Sequence, residues 1–474
     1  MQNSLCDGAP PIQQTRLERH LQRLERQLQQ LEAVNARFSL YRLAAFVVGA
    51  LAVGLAGSFG GETAGWIMFG LSAAMFLAIV ALHRRLDGWR QRFSTWRDLR
   101  RAQLARLQLD WTALPPAAGA ENAAPGAERC ALDIDLDLSG PRSLHRLLDL
   151  AISEQGSRRL AAWLCSGQPD PAAIAQRQAV ARELAGLPRF RDRLLLALRL
   201  ISKEPLRGDR LLDWLKVESS LPRLRRLLWI GAALTTLNAL LFGLGMLELI
   251  PPVWPISFTI YLAFYLGTRL SELLDATARL DTQLDTFSAL LRHLESYPLP
   301  GRPHLAGMLA PFRTPGRLPS AQVRRVKAIT AAIGLRMNPV MAILVNAFFP
   351  WDILFAYLAA RLQQQMRPEL PAWLETWYEL EALSSLGAFA WLHPEYAWPQ
   401  VDEQAGLLQA VGMGHPLLAA EKRVCNDFSI PGPGQVYLVT GSNMAGKSTF
   451  IKTLGINLCL AYAGGPVCAG ALRS

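Results

Sequence analysis

The chain has 474 residues, 51% of them hydrophobic, and a formal charge of +11 from 49 Lys+Arg against 38 Asp+Glu. That length suits about three domains, and an arginine-weighted excess suits phosphate groups or an anionic membrane surface, although positive loops beside membrane spans account for it equally well. Six cysteines without a CxxC spacing argue against a zinc site or a disulfide framework and for a reducing compartment.

Residues 1–40 are polar and charged, with no signal-peptide pattern. Leu17, Leu21, Leu24, Leu28 and Leu31 recur at three and four residues, which predicts an amphipathic helix packing on its own chain. Two apolar runs follow in residues 41–85, Leu43–Phe59 and Ala64–Leu82, separated by Gly60-Gly61-Glu62-Thr63. The second is nineteen residues without a charge, long enough to cross a bilayer core; the first is borderline. They predict a transmembrane hairpin, with a buried soluble pair as the competing reading. Arg37 and Arg42 precede it and His83-Arg84-Arg85 follow, while the turn has no Lys or Arg, so both ends are expected in the cytoplasm. Residues 86–128 then read as an amphipathic helix with a Trp89, Phe93, Trp96 stripe, running into an Ala/Pro/Gly linker over Ala113–Glu128.

Residues 129–226 open with strict alternation over Leu132–Leu138, which predicts a short strand carrying Asp133, Asp135 and Asp137 on one solvated face. Amphipathic helices follow, and nothing in them is catalytic. A second apolar pair occupies residues 227–268: Leu227–Leu247, then the shorter Val253–Gly267, with Glu248 and Pro251-Pro252 in the turn. Arg223, Arg225 and Arg226 before it and Arg269 after it repeat the charge asymmetry of the first pair. In residues 269–400, Leu270–Leu294 predicts one long amphipathic helix, and Asn338–Ala360, split at Pro350-Trp351-Asp352, a buried soluble helix pair with membrane re-entry as the alternative.

Residues 401–474 carry the chemistry. Val436–Thr440 has the composition of a buried strand, and Gly441-Ser442-Asn443-Met444-Ala445-Gly446-Lys447-Ser448 fits GxxxxGK[ST]. A helix is predicted to about Ala463, with Ile451, Leu454, Leu458 and Tyr462 on one face. In that context backbone N–H groups and the helix N-terminus cradle phosphate oxygens, with Thr449 continuing the loop into the helix. Lys447 reaches the β/γ-phosphates and the Ser448 hydroxyl sits on Mg²⁺, so ATP and Mg²⁺ are the expected ligands.

The loop GSNMAGKSTF resembles that of the MutS family of DNA mismatch-repair ATPases. Gly414-His415-Pro416, Arg423-Val424-Cys425-Asn426-Asp427-Phe428 and Gly464-Gly465-Pro466-Val467-Cys468-Ala469 are similar to the segments flanking that site, and Gly156-Ser157-Arg158, Trp163-Leu164, Asp170, Ile174 and Arg177 to the family's core and lever helices. The resemblance implies that Val424 and Asn426 lie beside the adenine. Relatives often hold an aromatic residue where Arg423 stands, and a guanidinium plane can also stack on a base.

The resemblance further implies a homodimeric ATPase that couples nucleotide state to lever motion, possible DNA binding, and catalytic acidic residues that come later in relatives, so the catalytic residues are unknown here and the chain is expected to be a fragment ending just after the Walker A helix. It departs from the mismatch readers in showing no recognition wedge and in placing an apolar pair where relatives insert a DNA clamp. The expected fold is mainly α: a helical core and lever region with two transmembrane hairpins, followed by the start of an α/β P-loop NTPase domain. The expected location is the inner (cytoplasmic) membrane, multi-pass, with the lipid bilayer as a partner and DNA bound, if at all, without mismatch specificity. The alternative function is a nucleotide-gated membrane scaffold that never touches DNA.

Overall fold

The computed structural model describes residues 12–118, 131–202, 205–268, 270–314, 316, 318–402, 408–432, 434–442 and 446–474. The architecture is mainly helical, with three short strands among the described residues. The first helical element, α1 (Ile12–Gln108), is a hairpin: Gly61 interrupts it at φ 79°, ψ 175°, a conformation open to glycine alone. The two arms, each roughly 70 Å long at 1.5 Å per residue, run antiparallel. Phe46 meets Phe76 (6.4 Å), Phe38 stacks on His83 (5.6 Å), and Arg101 pairs with Glu25 at 2.7 Å. Leu17, Leu24 and Leu28 are buried, as the leucine spacing predicts, whereas the apolar runs toward the tip face outward, with Phe59 88% and Trp66 73% exposed.

The foot of this hairpin is bolted to the core by polar groups. Arg100 pairs with Asp192 at 2.8 Å, and the buried Arg106 donates to the carbonyls of Leu147 (3.0 Å) and Asp149 (2.6 Å). Burial pulls the Arg106 pKa down to about 10, which leaves it charged at neutral pH. The first part of the predicted linker is docked rather than free: Leu114 is buried, and Arg146 donates to the carbonyls of Trp111 and Pro115. The rest of that linker lies outside the described residues.

The predicted strand Leu132–Leu138 is instead a helix, α2 (Ala131–Leu136), closed by Asp137 in the left-handed region at φ 53°. Its alternation meets no partner strand among the described residues, and Asp133 turns back to accept from the N–H of Ser139 at 2.6 Å. Next come α3 (Leu144–Leu148), α4 (Glu154–Leu164), α5 (Pro171–Ala185), α6 (Pro188–Ile201) and α7 (Gly208–Lys216). Their starts are written locally: Ser143, Ser153 and Asp170 accept from N–H groups of the first turns of α3, α4 and α5, and Pro171 fills the first position of α5.

The second apolar pair is α8 (Leu221–Met246) and α9 (Trp254–Leu266), packed together, with Phe242 against Trp254 at 5.5 Å. Both α1 and α8 are long and apolar enough to cross a bilayer, and their apolar windows are almost wholly unburied. The predicted single helix over Leu270–Leu294 is two, α10 (Ser271–Ala278) and α11 (Asp281–Ser296). They are followed by α12 (Pro303–Met308), α13 (Pro319–Gly334), α14 (Pro339–Phe348) and α15 (Trp351–Met366). The expectation of a buried pair over Asn338–Ala360 holds for α15 only. Helix α14 exposes Val340, Ile343, Leu344 and Phe348, and the two helices meet at 89°.

Helix α16 (Leu370–Leu392) is largely apolar and buried over most of its surface, as a core helix is. It packs on α4 and α5; at Gly387 a Cβ would stand 2.9 Å from that of Leu184, so only glycine admits this approach. The chain then enters an antiparallel sheet of order β2-β1-β3, formed by β1 (Leu408–Met413), β2 (Asn426–Ile430) and β3 (Ala471–Arg473), with a bulge between Ala410 and Met413. The last helix, α17 (Lys447–Ala463), lies between β2 and β3 in sequence.

Candidate nucleotide-binding site

The site is built at the start of α17. Gly446 occupies its N-cap at φ 81°, a left-handed residue where any Cβ would be strained, and among the described residues no side chain caps the helix. Among the described residues the first-turn N–H groups therefore have no capping side chain, and Ser448 and Thr449 beside them are exposed. Lys447 donates from Nζ to the Gly441 carbonyl at 2.5 Å. Gly441 and Ser442 are exposed on the other limb. Asn443, Met444 and Ala445, the middle of the expected loop, lie outside the described residues.

Uncapped N–H donors, a lysine turned toward the loop and an exposed hydroxyl are the donor set that a Mg²⁺-bound polyphosphate requires. No group of three or more His, Cys, Asp or Glu side chains able to hold a metal occurs among the described residues. Val424 (73% exposed) and Asn426 are solvent-facing at the start of β2. The Arg423 guanidinium donates to the carbonyls of His415 (3.2 Å) and Leu418 (2.9 Å) and lies over the Tyr396 ring at 5.7 Å.

Two expectations for this region are corrected. Val436–Thr440 forms no strand; among the described residues nothing pairs with it, and Val436 and Leu438 are 93% and 85% exposed. A strand exists only through its neighbours, so apolar β-branched composition alone does not make one. Helix α17 ends at Ala463 as expected, but it buries a different face. Ile451 is exposed, while Thr453, Ile456, Asn457, Leu460 and Ala461 are buried.

Asn457 is the residue that spacing missed. Fully buried, it donates to the Gly414 carbonyl at 3.0 Å and accepts from the Cys468 N–H at 2.8 Å, so one amide joins α17 to both flanking segments. A polar side chain between Ile456 and Leu458 was the available signal. Phe428 packs edge-on against Phe450 at 5.5 Å and Tyr437 at 5.8 Å, which seats β2 against the loop and the helix. His415 accepts the Leu417 N–H at Nδ1 (3.2 Å); burial, then the nearby Lys452 and Arg423 charges, lower its pKa to about 4, so the ring is neutral at pH 7. Cys425 is disulfide-bonded, a departure from an all-thiol complement, whereas Cys165, Cys459 and Cys468 are in no disulfide.

The helices that share motifs with the site turn out to support it. Helix α17 packs on α2, α4 and α5. Leu136 of α2 lies so close to Gly455 that a Cβ there would meet its Cδ2 at 2.6 Å, and Asp137 pairs with Lys452 at 2.6 Å. Arg177 of α5 lies over the Trp163 ring at 4.4 Å and donates to the Tyr462 carbonyl at 3.3 Å. Asp170, Ile174 and Leu164 are capping or core residues.

No family model matches the chain. It is 36% identical over 89 residues to the DNA mismatch repair protein MutS of Chlorobium phaeovibrioides, which covers 17% of this chain and 10% of that protein. It is 36% identical over 91 residues to the endonuclease MutS2 of Geobacillus kaustophilus, 18% and 11% of the two chains. A longer match, 27% identical over 387 residues, covers 71% of this chain and 43% of the DNA mismatch repair protein MutS of Anaeromyxobacter sp. (strain K). The chain thus spans about a tenth of the first two relatives and less than half of the third. Over parts of its length the chain is therefore similar to MutS and MutS2 proteins.

Proposed function

We propose that this protein is a membrane-anchored, MutS-like ATP-binding protein of the inner membrane, multi-pass and homodimeric, that couples nucleotide state to motion of its helical levers. The observation that carries the reading is the uncapped start of α17, with Gly446 left-handed and Lys447 Nζ donating to the Gly441 carbonyl. Lys447 would hold the β/γ-phosphates, the N–H groups of the first turn would bind their oxygens, and Ser448 would hold Mg²⁺. Mg²⁺, when bound, supplies neutralisation of the phosphate charge.

The coupling rests on continuous packing. Helix α17 leans on α4 and α5, these hold α16, α6 joins α5 to the foot of hairpin α1, and α15 joins the core to α8. A change at the phosphate loop therefore has a packed route to both hairpins, which is a physical precondition for coupling. A second reading, a nucleotide-gated scaffold that does not bind DNA, is favoured by the outward apolar faces of α8 and α9, which suit lipid rather than a phosphate backbone.

The test is Lys447→Ala in the full-length protein. ATP binding or turnover is expected to be lost while the protein still partitions with membranes. Unchanged ATP affinity would remove the phosphate-loop assignment.

A further inference from the structure

We infer that α14 is a third membrane element, a re-entrant half-helix that lies among lipid acyl chains beside the second hairpin. The inference rests on the membrane reading of α8 and α9. From Asn338 to Trp351 the sequence carries no charge, and Val340, Ile343, Leu344 and Phe348 are between 52% and 76% exposed. At 1.5 Å per residue its ten residues rise about 15 Å, half of the roughly 30 Å hydrocarbon core. Helix α14 adjoins the α8–α9 pair. Pro350, at the break, sits against Gly231 of α8, 3.1 Å from where a Cβ would stand, and α9 reaches α14 through Tyr261.

The stronger argument is the backbone at the break, because in hydrocarbon every N–H and C=O must find a partner within the protein. The Asn346 carbonyl would ordinarily accept from the residue four positions on, which is Pro350 and has no N–H. Tyr261 supplies the missing donor: its hydroxyl donates to that carbonyl at 2.5 Å. On the far side of the break, the Asp352 N–H opens α15 and has no helical acceptor; Asn346 Oδ1 accepts it at 3.0 Å. The Asn346 amide in turn donates to the Ala342 carbonyl at 2.9 Å. The Asp352 carboxylate is met by the Tyr265 hydroxyl at 2.8 Å and by Arg336 at 3.3 Å, and Trp351 Nε1 donates to the Ala332 carbonyl at 3.1 Å. A water-facing bend has no need of this closure, since solvent would satisfy the same groups. Here the Asn346 carbonyl and the Asp352 N–H at the break are closed by side chains, and the apolar side chains of α14 are turned outward.

The experiment uses the full-length protein in phosphatidylcholine/phosphatidylglycerol vesicles, with native cysteines replaced. Nitroxide labels are placed in turn at Ile343, Phe348, Leu240 of α8 and the exposed Gln364 of α15. Collision with dioxygen, which partitions into lipid, is compared with collision with a water-soluble nickel chelate. The expected result is a dioxygen-to-nickel ratio at Ile343 and Phe348 that matches Leu240 and exceeds Gln364 several-fold. Nickel access at Ile343 equal to that at Gln364, with Leu240 still in lipid, overturns the inference and leaves the membrane anchor standing. Protection of Ile343 from both reagents means a protein neighbour and also overturns it. Nickel access at Leu240 as well removes the anchor and this inference together.

Discussion

Glu381 Oε1 accepts the N–H of Ile152 at 2.7 Å, which binds the core helix α16 to the start of α4 across 229 residues of sequence. The Ser153 N–H and hydroxyl donate to the same carboxyl group, and a Cβ on Gly156 would stand 2.9 Å from the Glu381 Cβ. Burial raises the Glu381 pKa to about 8 against the pull of these donors, with Asp149 adding to the rise. The native state therefore holds a proton that the unfolded chain has released, so this group's contribution falls as pH rises from about 4.5 to about 8. Glu381→Gln keeps the acceptor and is neutral throughout, so it is expected to flatten stability across that window. Glu381→Ala leaves buried N–H groups without a partner and is expected to cost about 1–3 kcal/mol for that alone. Thermal unfolding of the detergent-solubilised protein at several pH values checks both; a wild-type curve that rises between pH 5 and 8 in the Gln-sensitive component would overturn the assignment.

His415 gives the opposite slope. Its folded pKa of about 4 lies below the ordinary 6.5, so the unfolded chain binds the proton first and stability is lost as pH falls from about 6.5 toward 4. His415→Asn retains an acceptor near the Leu417 N–H and is expected to lose the histidine's share of that acid sensitivity. Identical acid limbs in the variant and the parent would show that the ring is not the group responsible.

The contact between α2 and α17 separates packing from charge. The Asp137–Lys452 pair is exposed on both sides, so Asp137→Asn is expected to change stability by less than about 1 kcal/mol. Leu136 is buried against Gly455, and Leu136→Ala is expected to cost about 2–4 kcal/mol and to weaken ATP binding, because the helix that carries Lys447 loses a support. Denaturation midpoints and nucleotide titrations of the two variants make the comparison; equal losses would mean that the ion pair, not the leucine, holds α2 in place.

What was legible in the sequence is what a single segment decides for itself. The leucine seam of α1, the apolar runs of the hairpins, the capping residues Ser153 and Asp170 and the glycine-lysine loop are local patterns, and the helices stand where those patterns put them. The misreadings all concern segments whose state is set by a neighbour. Leu132–Leu138 alternates like a strand, yet it has Gly455 and Lys452 of α17 to pack on rather than another strand. Val436–Thr440 has strand composition but no pairing partner among the described residues. Arg423 is held by two carbonyls and lies over Tyr396, contacts that no local pattern shows. Asn346 and Tyr261 are 85 residues apart, and no periodicity could have joined them.

Topology follows from the arginines that flank each hairpin. Cysteines placed within Gly60–Thr63 and Glu248–Pro252 are expected to react with an impermeant thiol reagent from outside intact cells, and cysteines near Arg85 or Arg225 only after the membrane is opened. Glu248 stands at φ 56° at the α8–α9 turn, and the Gly61 break marks the other tip, so both turns are structurally defined targets. Outside labelling near Arg85 would reverse the orientation.

DNA binding is where family resemblance and physical reading diverge most. Among the arginines beside α6 and α7, Arg189, Arg193, Arg207 and Arg210 are exposed and free to meet phosphates. Arg191 is not: it is buried, and desolvation pulls its pKa down to about 10. Each phosphate contact on duplex DNA steepens the log–log salt dependence of affinity by roughly 0.9. Mismatch preference requires more, an apolar wedge inserted at a kinked step. The large exposed apolar side chains near these arginines are few, and most of those on the molecule lie on the hairpins and α14. Weak, salt-sensitive binding to any duplex is therefore expected, with no preference for a mispair. Arg189→Ala and Arg193→Ala are each expected to lower the salt slope by about one contact's worth, close to 0.9, whereas Arg191→Ala should reduce stability and leave the slope unchanged. The measurement is a salt titration of the detergent-solubilised full-length protein on matched and mismatched duplexes, with and without ATP. A tenfold preference for the mismatch, about 1.4 kcal/mol, would overturn this expectation and favour a repair role, and a slope untouched by both exposed-arginine variants would move the DNA contact elsewhere on the molecule.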